Sequence, residues 1–248
     1  MPESIGELKG RKIAMLIDGD NAQLALIEKM LAEAAKYGDV TIRRIYGDFS
    51  TPMMKKWEDE LKRNAIQPIQ QYGNTKNKNA TDIAMIIDAM DILHSSAVDG
   101  FCLISSDSDY TKLAVRIRES GTFVMGIGRK ETPPSFVNAC KIFVKTENLI
   151  LEELPKDEPA NKKRASKDTK VQAENDELGA LLVKAFTNTV DDNGQALLSQ
   201  MGDYLRKLDP GFDVRTYKCT QLLQLIKTKT NIFDVNATPE GPVFVKLK

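Results

Sequence analysis

The sequence predicts an α/β head with a mostly parallel sheet covered by helices on both faces, followed by a small domain of three helices and a β-hairpin. Three observations predict it. Short apolar runs alternate with helix-length amphipathic stretches from Lys12 to about Leu149, the pattern of repeated βα units. Residues 152–174 are charged, contain prolines and hold few large apolar residues, the composition of a flexible, solvated linker. Apolar periodicity then returns from 175 to 248.

The head elements follow in order. KIAMLID, at 12–18, is a β-like run, and DNAQLALIEKMLAEAAKYG is an amphipathic helix stopping at Gly38. VTIRRIYGDF is a second strand, TPMMKKWEDELKRN a helix from Thr51, and AIQPIQQYG a short strand. NATDIAMIIDAMDILHS carries Ile83, Ile86, Ile87, Met90 and Leu93 at helical spacing. GFCLISS is a strand, DYTKLAVRIRESG a helix with a glycine stop, and TFVMGIG a strand. TPPSFVNAC, a last short helix, precedes the strand KIFVK.

In the tail, Leu178, Leu182, Ala185 and Phe186 share one helical face. Ser199 is the expected cap of a helix carrying Met201, Leu205 and Leu208, which stops at Asp209-Pro210-Gly211. A third helix holds Leu222, Leu225 and Ile226. NIFDV and PVFVKL flank the turn NATPEG, a hairpin signal. This is the element order of a winged helix-turn-helix.

Composition excludes some functions. With 42% hydrophobic residues the chain buries a real core. Its 35 basic residues match its 35 acidic ones, so a basic binding surface requires local segregation of charge. No apolar run approaches the roughly 18 residues of a membrane span. The opening MPESIGELKGRK has no apolar core of a signal peptide, so a cytoplasmic protein is expected. Cys102, Cys140 and Cys219 are an odd number without a close pair, as expected of reduced thiols. The single histidine, His94, reads as a surface residue, and chemistry needing several histidines is disfavoured.

The acids carry the strongest functional signal. In a parallel α/β sheet, ligands bind outside the carboxyl ends of the strands. LIDGDN ends the first strand with Asp18 and Asp20, and ISSDSD ends a later one with Asp107 and Asp109. Asp82 opens its helix, and Asp88 lies further along it, where it reads as part of a solvated face. Asp18, Asp82, Asp107 and Asp109 thus fall on one rim. Gathered carboxylates repel one another unless a cation neutralises them, and hard oxygen ligands select Mg²⁺ or Mn²⁺. Any one of these aspartates also reads as a helix cap, as Asp20 does for a helix starting at Asn21. Lys76, Lys78, Arg129 and Lys130 lie on loops near that rim, where they would position a phosphodiester backbone or serve as ordinary surface charge. Ser105 and Ser106 either donate to phosphate or close their strand. Tyr46, Trp57 and Tyr72 read as base-stacking or, more simply, buried residues.

LIDGDN, NATDIAMIIDAM, LISSDSDY and the later GIG together resemble the NYN family, a PIN-like nuclease group that includes the LabA-type bacterial proteins. The resemblance spans about residues 11–149. It implies a PIN-like fold and a metal-dependent ribonuclease, with Mg²⁺ or Mn²⁺ held by Asp18, Asp82, Asp107 and Asp109. Asn21 would orient the site or touch RNA. Many relatives place Lys-Gly just before the second acid; here NTKNKNATD puts Lys76 and Lys78 upstream and has no glycine. The tail, about 175–248, is similar to the OST-HTH or LOTUS winged-helix family through its "LDPGFD", "LLQLI" and "FDV" cadence. That family implies RNA binding in some members and protein docking in others. Arg215, Lys218, Lys227 and Lys229 are the candidate phosphate-facing residues, and Lys218 replaces the glycine usual after Tyr217. Two rivals stay open: a non-enzymatic RNA-binding adaptor, and a phosphatase whose aspartyl nucleophile loop DGDN faintly resembles. The latter needs Asp18 as nucleophile and Asp20 as acid.

Overall fold

The computed structural model describes residues 10–72, 80–150, 168–236 and 241–248. The chain divides into two compact units, the first ending at Ile150.

The head runs β1 (Lys12–Asp18), α1 (Ile27–Ala35), β2 (Asp39–Gly47), α2 (Pro52–Lys55), α3 (Glu58–Arg63) and β3 (Gln67–Gln70). It continues through α4 (Ala80–His94), β4 (Gly100–Ile104), α5 (Thr111–Glu119), β5 (Phe123–Gly128), α6 (Pro134–Ala139), β6 (Ile142–Lys145) and α7 (Thr146–Ile150). The six strands are all parallel, in the order β3-β2-β1-β4-β5-β6. The chain winds outward from β1 to β3, then returns to lay β4 on the other side of β1. Such a reversal opens a crevice at the carboxyl ends of the two central strands.

The two-residue period of β1 sorts its side chains between two apolar layers. Ile13, Met15 and Ile17 join Ile27 and Met30 of α1 with Trp57 and Leu61. Ala14 and Leu16 join Met85 and Ala89 of α4, Leu113 of α5 and Phe136 of α6. The same period turns Asp18 toward the layer of α4, α5 and α6. In β4, Leu103 belongs to that layer too, which sets Ser105 on the same side as Asp18.

Two helices differ from expectation. The one expected from Asn21 to Gly38 begins at Ile27, after a 3-10 turn over Leu24–Leu26, and ends at Ala35. The N–H groups of Asn21 and Ala22 both bond the Asp18 carbonyl, so the chain makes a tight turn before any helix starts. The helix expected from Thr51 to Asn64 is two, because the Trp57 N–H bonds the Met54 carbonyl three residues back and tightens the joint. Thr51 caps α2 by accepting from the Met54 N–H, and Pro52 follows it.

The tail contains α8 (Asp168–Thr187), β7 (Ala196–Leu197), α9 (Leu198–Leu208), α10 (Leu222–Lys227), β8 (Phe233–Asn236) and β9 (Phe244–Leu247). Its antiparallel sheet has the order β7-β9-β8. Leu178, Leu182, Ala185 and Phe186 are buried, as their spacing predicts. α8 begins at Asp168, inside the stretch whose composition reads as linker; 152–167 lies outside the described residues. Ser199 is not the cap. β7 runs directly into α9, Leu197 takes the cap position, and no side chain caps it. Among the described residues, no helix is long and apolar enough to cross a membrane.

Candidate functional site

Asp18 ends β1 at the crevice and is 1% exposed. Its Oδ2 accepts from the Ser105 hydroxyl at 2.8 Å and from Asn21 Nδ2 at 2.7 Å, and its Oδ1 accepts from the Asp20 N–H at 3.2 Å. Burial pushes the Asp18 carboxyl above its ordinary range, and the charge of Asp82 pushes it further. The donated hydrogen bonds oppose that rise.

Asp82 stands in the first turn of α4. Its Oδ1 accepts from the hydroxyl of Tyr110 at 2.7 Å. Tyr110 is fully buried. Its hydroxyl is held far above the ordinary tyrosine range by burial first, and then by Asp18, Asp82 and Asp107 acting together. One phenol therefore senses three acids from three separate stretches of chain.

Asp107 stands in LISSDSDY, just past the end of β4. It caps the 3-10 turn over Ser108–Tyr110, its Oδ1 accepting from the Asp109 N–H at 2.9 Å. Its own N–H donates to Ser105 Oγ at 3.0 Å. Asp109 is exposed and meets this cluster through its backbone. Asp20 is a participant that reading it as a cap overlooks. It is exposed, and burial of its carboxyl, then the charge of Asp82, raises its pKa, while a Thr81 hydrogen bond lowers it. No helix starts at Asn21 for it to cap.

Several expected RNA contacts stand elsewhere. Ser105 is 2% exposed and gives its proton to Asp18, so it positions an acid and offers nothing to phosphate. Ser106 accepts from the Arg129 N–H at 2.9 Å, which ties the loop after β5 to the loop after β4. The close approach of those strand ends requires Gly128, where a Cβ would stand 2.4 Å from the Ser105 carbonyl. Arg129 and Lys130 are exposed on that loop. Lys76 and Lys78 lie outside the described residues. In the tail, Arg215 is only 16% exposed and grips Asp213, Nη2 to Oδ2 at 2.7 Å, so it does not project as a phosphate-facing residue. Lys218 and Lys227 are exposed and Lys229 half-buried.

Tyr46 and Trp57 are buried and cannot stack on bases; Tyr72 is exposed. Asp88 is no free surface acid: the Tyr46 hydroxyl donates to it, and Arg44 pairs with it. Tyr110 and Tyr46 therefore each anchor one aspartate of α4 to the head. His94 is exposed, with Nδ1 at the Met90 carbonyl. The three cysteines are buried and unbridged, and burial pushes the Cys140 thiol up to about 12.

Among the described residues, no three Asp, Glu, His or Cys side chains stand together as a ready-made metal cage. Asp18, Asp82 and Asp107 are each turned toward a local donor. The donor chemistry still fits a hard cation: the group is all carboxylate and hydroxyl oxygen, and the raised Asp18 and Asp20 carboxyls carry a charge penalty a cation would relieve.

Fold and site together define a parallel α/β domain with Asp18 and Asp107 at the exits of the two central strands and Asp82 in the first turn of α4, followed by a small domain of helices and an antiparallel sheet. The NYN domain model matches residues 12–151, and the chain belongs to the NYN family. The OST-HTH/LOTUS domain model matches residues 169–245, starting one residue into α8. These matches support a nuclease or RNA-binding role. The chain is similar to a protein of unknown function from Vibrio parahaemolyticus, 21% identical, over 55% of this chain and 93% of that one, with a TM-score of 0.47. It is also similar to an uncharacterized protein from Nitrosomonas europaea, 26% identical, over 39% of this chain and 86% of that one, with a TM-score of 0.27. No curated protein matches it.

Proposed function

We propose that the protein is a cytoplasmic, metal-dependent endoribonuclease whose winged-helix tail captures RNA. The observation that carries this reading is a chain of contacts joining three acids: Ser105 Oγ donates to Asp18 and accepts from the Asp107 N–H, and the hydroxyl of Tyr110, three residues on, donates to Asp82. Asp18, Asp82 and Asp107 would hold Mg²⁺ or Mn²⁺, with Asp109 at the mouth to hold a second ion or orient the attacking water. When bound, such an ion lowers the pKa of water and neutralises phosphoryl oxygens. Ser105 and Asn21 donate to Asp18 and oppose the rise that burial imposes on its carboxyl. Tyr110 holds Asp82 in place. Arg129 and Lys130 flank the crevice, where cations hold a phosphodiester backbone without reading its sequence.

Asp107→Asn tests this. The variant is expected to keep its circular dichroism spectrum and lose cleavage of mixed RNAs in Mg²⁺ or Mn²⁺. Cleavage at the wild-type rate would sink the mechanism. The adaptor reading is favoured by one observation, that the acids are turned to local donors rather than to a shared centre. An adaptor binds RNA equally in EDTA and yields no products with either ion.

A further inference from the structure

Two aspartates of α4 are held by tyrosine hydroxyls, and the two tyrosines come from opposite sides of β1. Tyr110, past the exit of β4, donates to Asp82 Oδ1 at 2.7 Å. Tyr46, on β2, donates to Asp88 Oδ2, and Arg44 Nη1, on the same strand, stands 2.5 Å from Asp88 Oδ1. In the sheet, β2 and β4 flank β1. On the helix, Asp82 stands three residues before Met85 and Asp88 three after it. At 3.6 residues per turn they lie about 60° to either side of Met85, which is fully buried in the layer between α4 and the sheet. A tie on one flank alone leaves a helix free to roll away from it. A tie on each flank opposes roll in both directions.

Tyr46 also reaches the other strand-end acid. It is the register partner of Asp18 across β1 and β2, and its carbonyl accepts from the Gly19 N–H at 2.9 Å. Its side chain is fully buried in the same layer as Met85. One residue thus grips the turn after Asp18 with its backbone and α4 with its phenol. Asp88 lies six residues beyond Asp82, about 9 Å along the helix axis, so it acts on the crevice through the helix rather than by contact.

We propose that Tyr46, Arg44 and Asp88 form a brace that sets the roll of α4, and are positioning residues that aim Asp82 at the crevice beside Asp18. The proposal rests on the cation reading above. It adds that cation affinity depends on a contact made on the flank of α4 away from Tyr110.

Binding of Mn²⁺ to the full chain without RNA, followed by isothermal titration calorimetry, tests the brace. Tyr46→Phe keeps the ring in its layer and the carbonyl on Gly19, and removes only the hydroxyl. It is expected to weaken Mn²⁺ about tenfold, the scale of losing a residue that orients a metal ligand. Asp88→Asn is expected to weaken it at least as much. The double variant is expected to be no weaker than Asp88→Asn alone, because both changes break one contact. Ile92→Val, in the same apolar layer, is the control for a general loss of packing. It is expected to lower the melting temperature and keep the wild-type Mn²⁺ affinity. No Mn²⁺ binding by wild type, wild-type affinity in both brace variants, or an equal loss in Ile92→Val overturns the brace. Cleavage of mixed RNAs in Mn²⁺ separates the two claims. If RNA is cut and both brace variants keep the wild-type Mn²⁺ affinity and kcat, the brace falls and the nuclease reading stands. If Mn²⁺ binding follows the expected pattern and no RNA is cut, the brace stands and the nuclease reading falls.

Discussion

Asp18 takes hydrogen bonds from Ser105, Asn21 and the Asp20 N–H, yet its carboxyl lies above its ordinary value of 3.8 because burial and Asp82 outweigh those bonds. A carboxyl whose folded pKa is raised binds more protons in the folded state than in the unfolded one. The contribution of Asp18 to metal-free stability is therefore most favourable at low pH and declines as pH rises from about 3.8 through the raised folded value. Above that value the penalty stays in full. Asp18→Asn removes the penalty. Its metal-free melting temperature at pH 7 is expected to exceed that of wild type, and to lack this decline in a melting series across the acid range. Added Mn²⁺ is expected to raise the melting temperature of wild type and not of the variant. At this scale, the placement of Asp18, Asp82 and Asp107 is legible because strand ends and helix starts are legible. Tyr110 is not: an aromatic after two aspartates reads as core, and only the fold aims its hydroxyl at Asp82. Asp88 is missed for a similar reason, since mid-helix spacing says nothing of the Tyr46 hydroxyl on a distant strand.

At the scale of elements, most strands are legible from their apolar runs, because buried parallel strands tolerate little else. Helix starts are harder. Asn21 looks like the beginning of a helix, but its side chain is drawn to Asp18, and regular helix waits until Ile27. Ile83 and Ile87 share the helical spacing of buried residues yet are 55% and 57% exposed, because periodicity cannot say which apolar stripe faces the sheet. The tail offers a test of a local rule. Lys218 ends the 3-10 turn over Val214–Tyr217 with a φ of 57°, a left-handed conformation that a residue with a Cβ adopts at a cost. This is the position where the resemblance to the OST-HTH family implies a glycine. Lys218→Gly is expected to stabilise the tail by about 1 kcal/mol, the balance of relieved strain against lost backbone entropy. Chemical denaturation of the isolated tail, followed by circular dichroism, checks it. A destabilised variant would mean that the lysine side chain contributes more than the strain costs.

On the scale of the whole molecule, two compact units share one chain, and their order is legible from the composition shift between them. What the sequence hides is the sheet order, because no local pattern says that β4 returns beside β1. That reversal makes the crevice. On the function proposed above, linking a tail that holds RNA to a head that cuts it would raise the local concentration of substrate. Supplying the head and tail as separate chains is expected to raise KM for RNA about tenfold or more, with kcat little changed; steady-state cleavage kinetics on the joined and divided proteins reads this directly. An equal KM would mean the tail serves another partner. The central claim is that Asp18, Asp82 and Asp107, brought from three parts of the chain, serve one divalent cation. Anomalous scattering from crystals grown with Mn²⁺ tests it most directly. The account predicts a manganese peak bound by those three carboxylates at the crevice between β1 and β4; a well-ordered crevice with no peak, or a peak held by other residues alone, would contradict it.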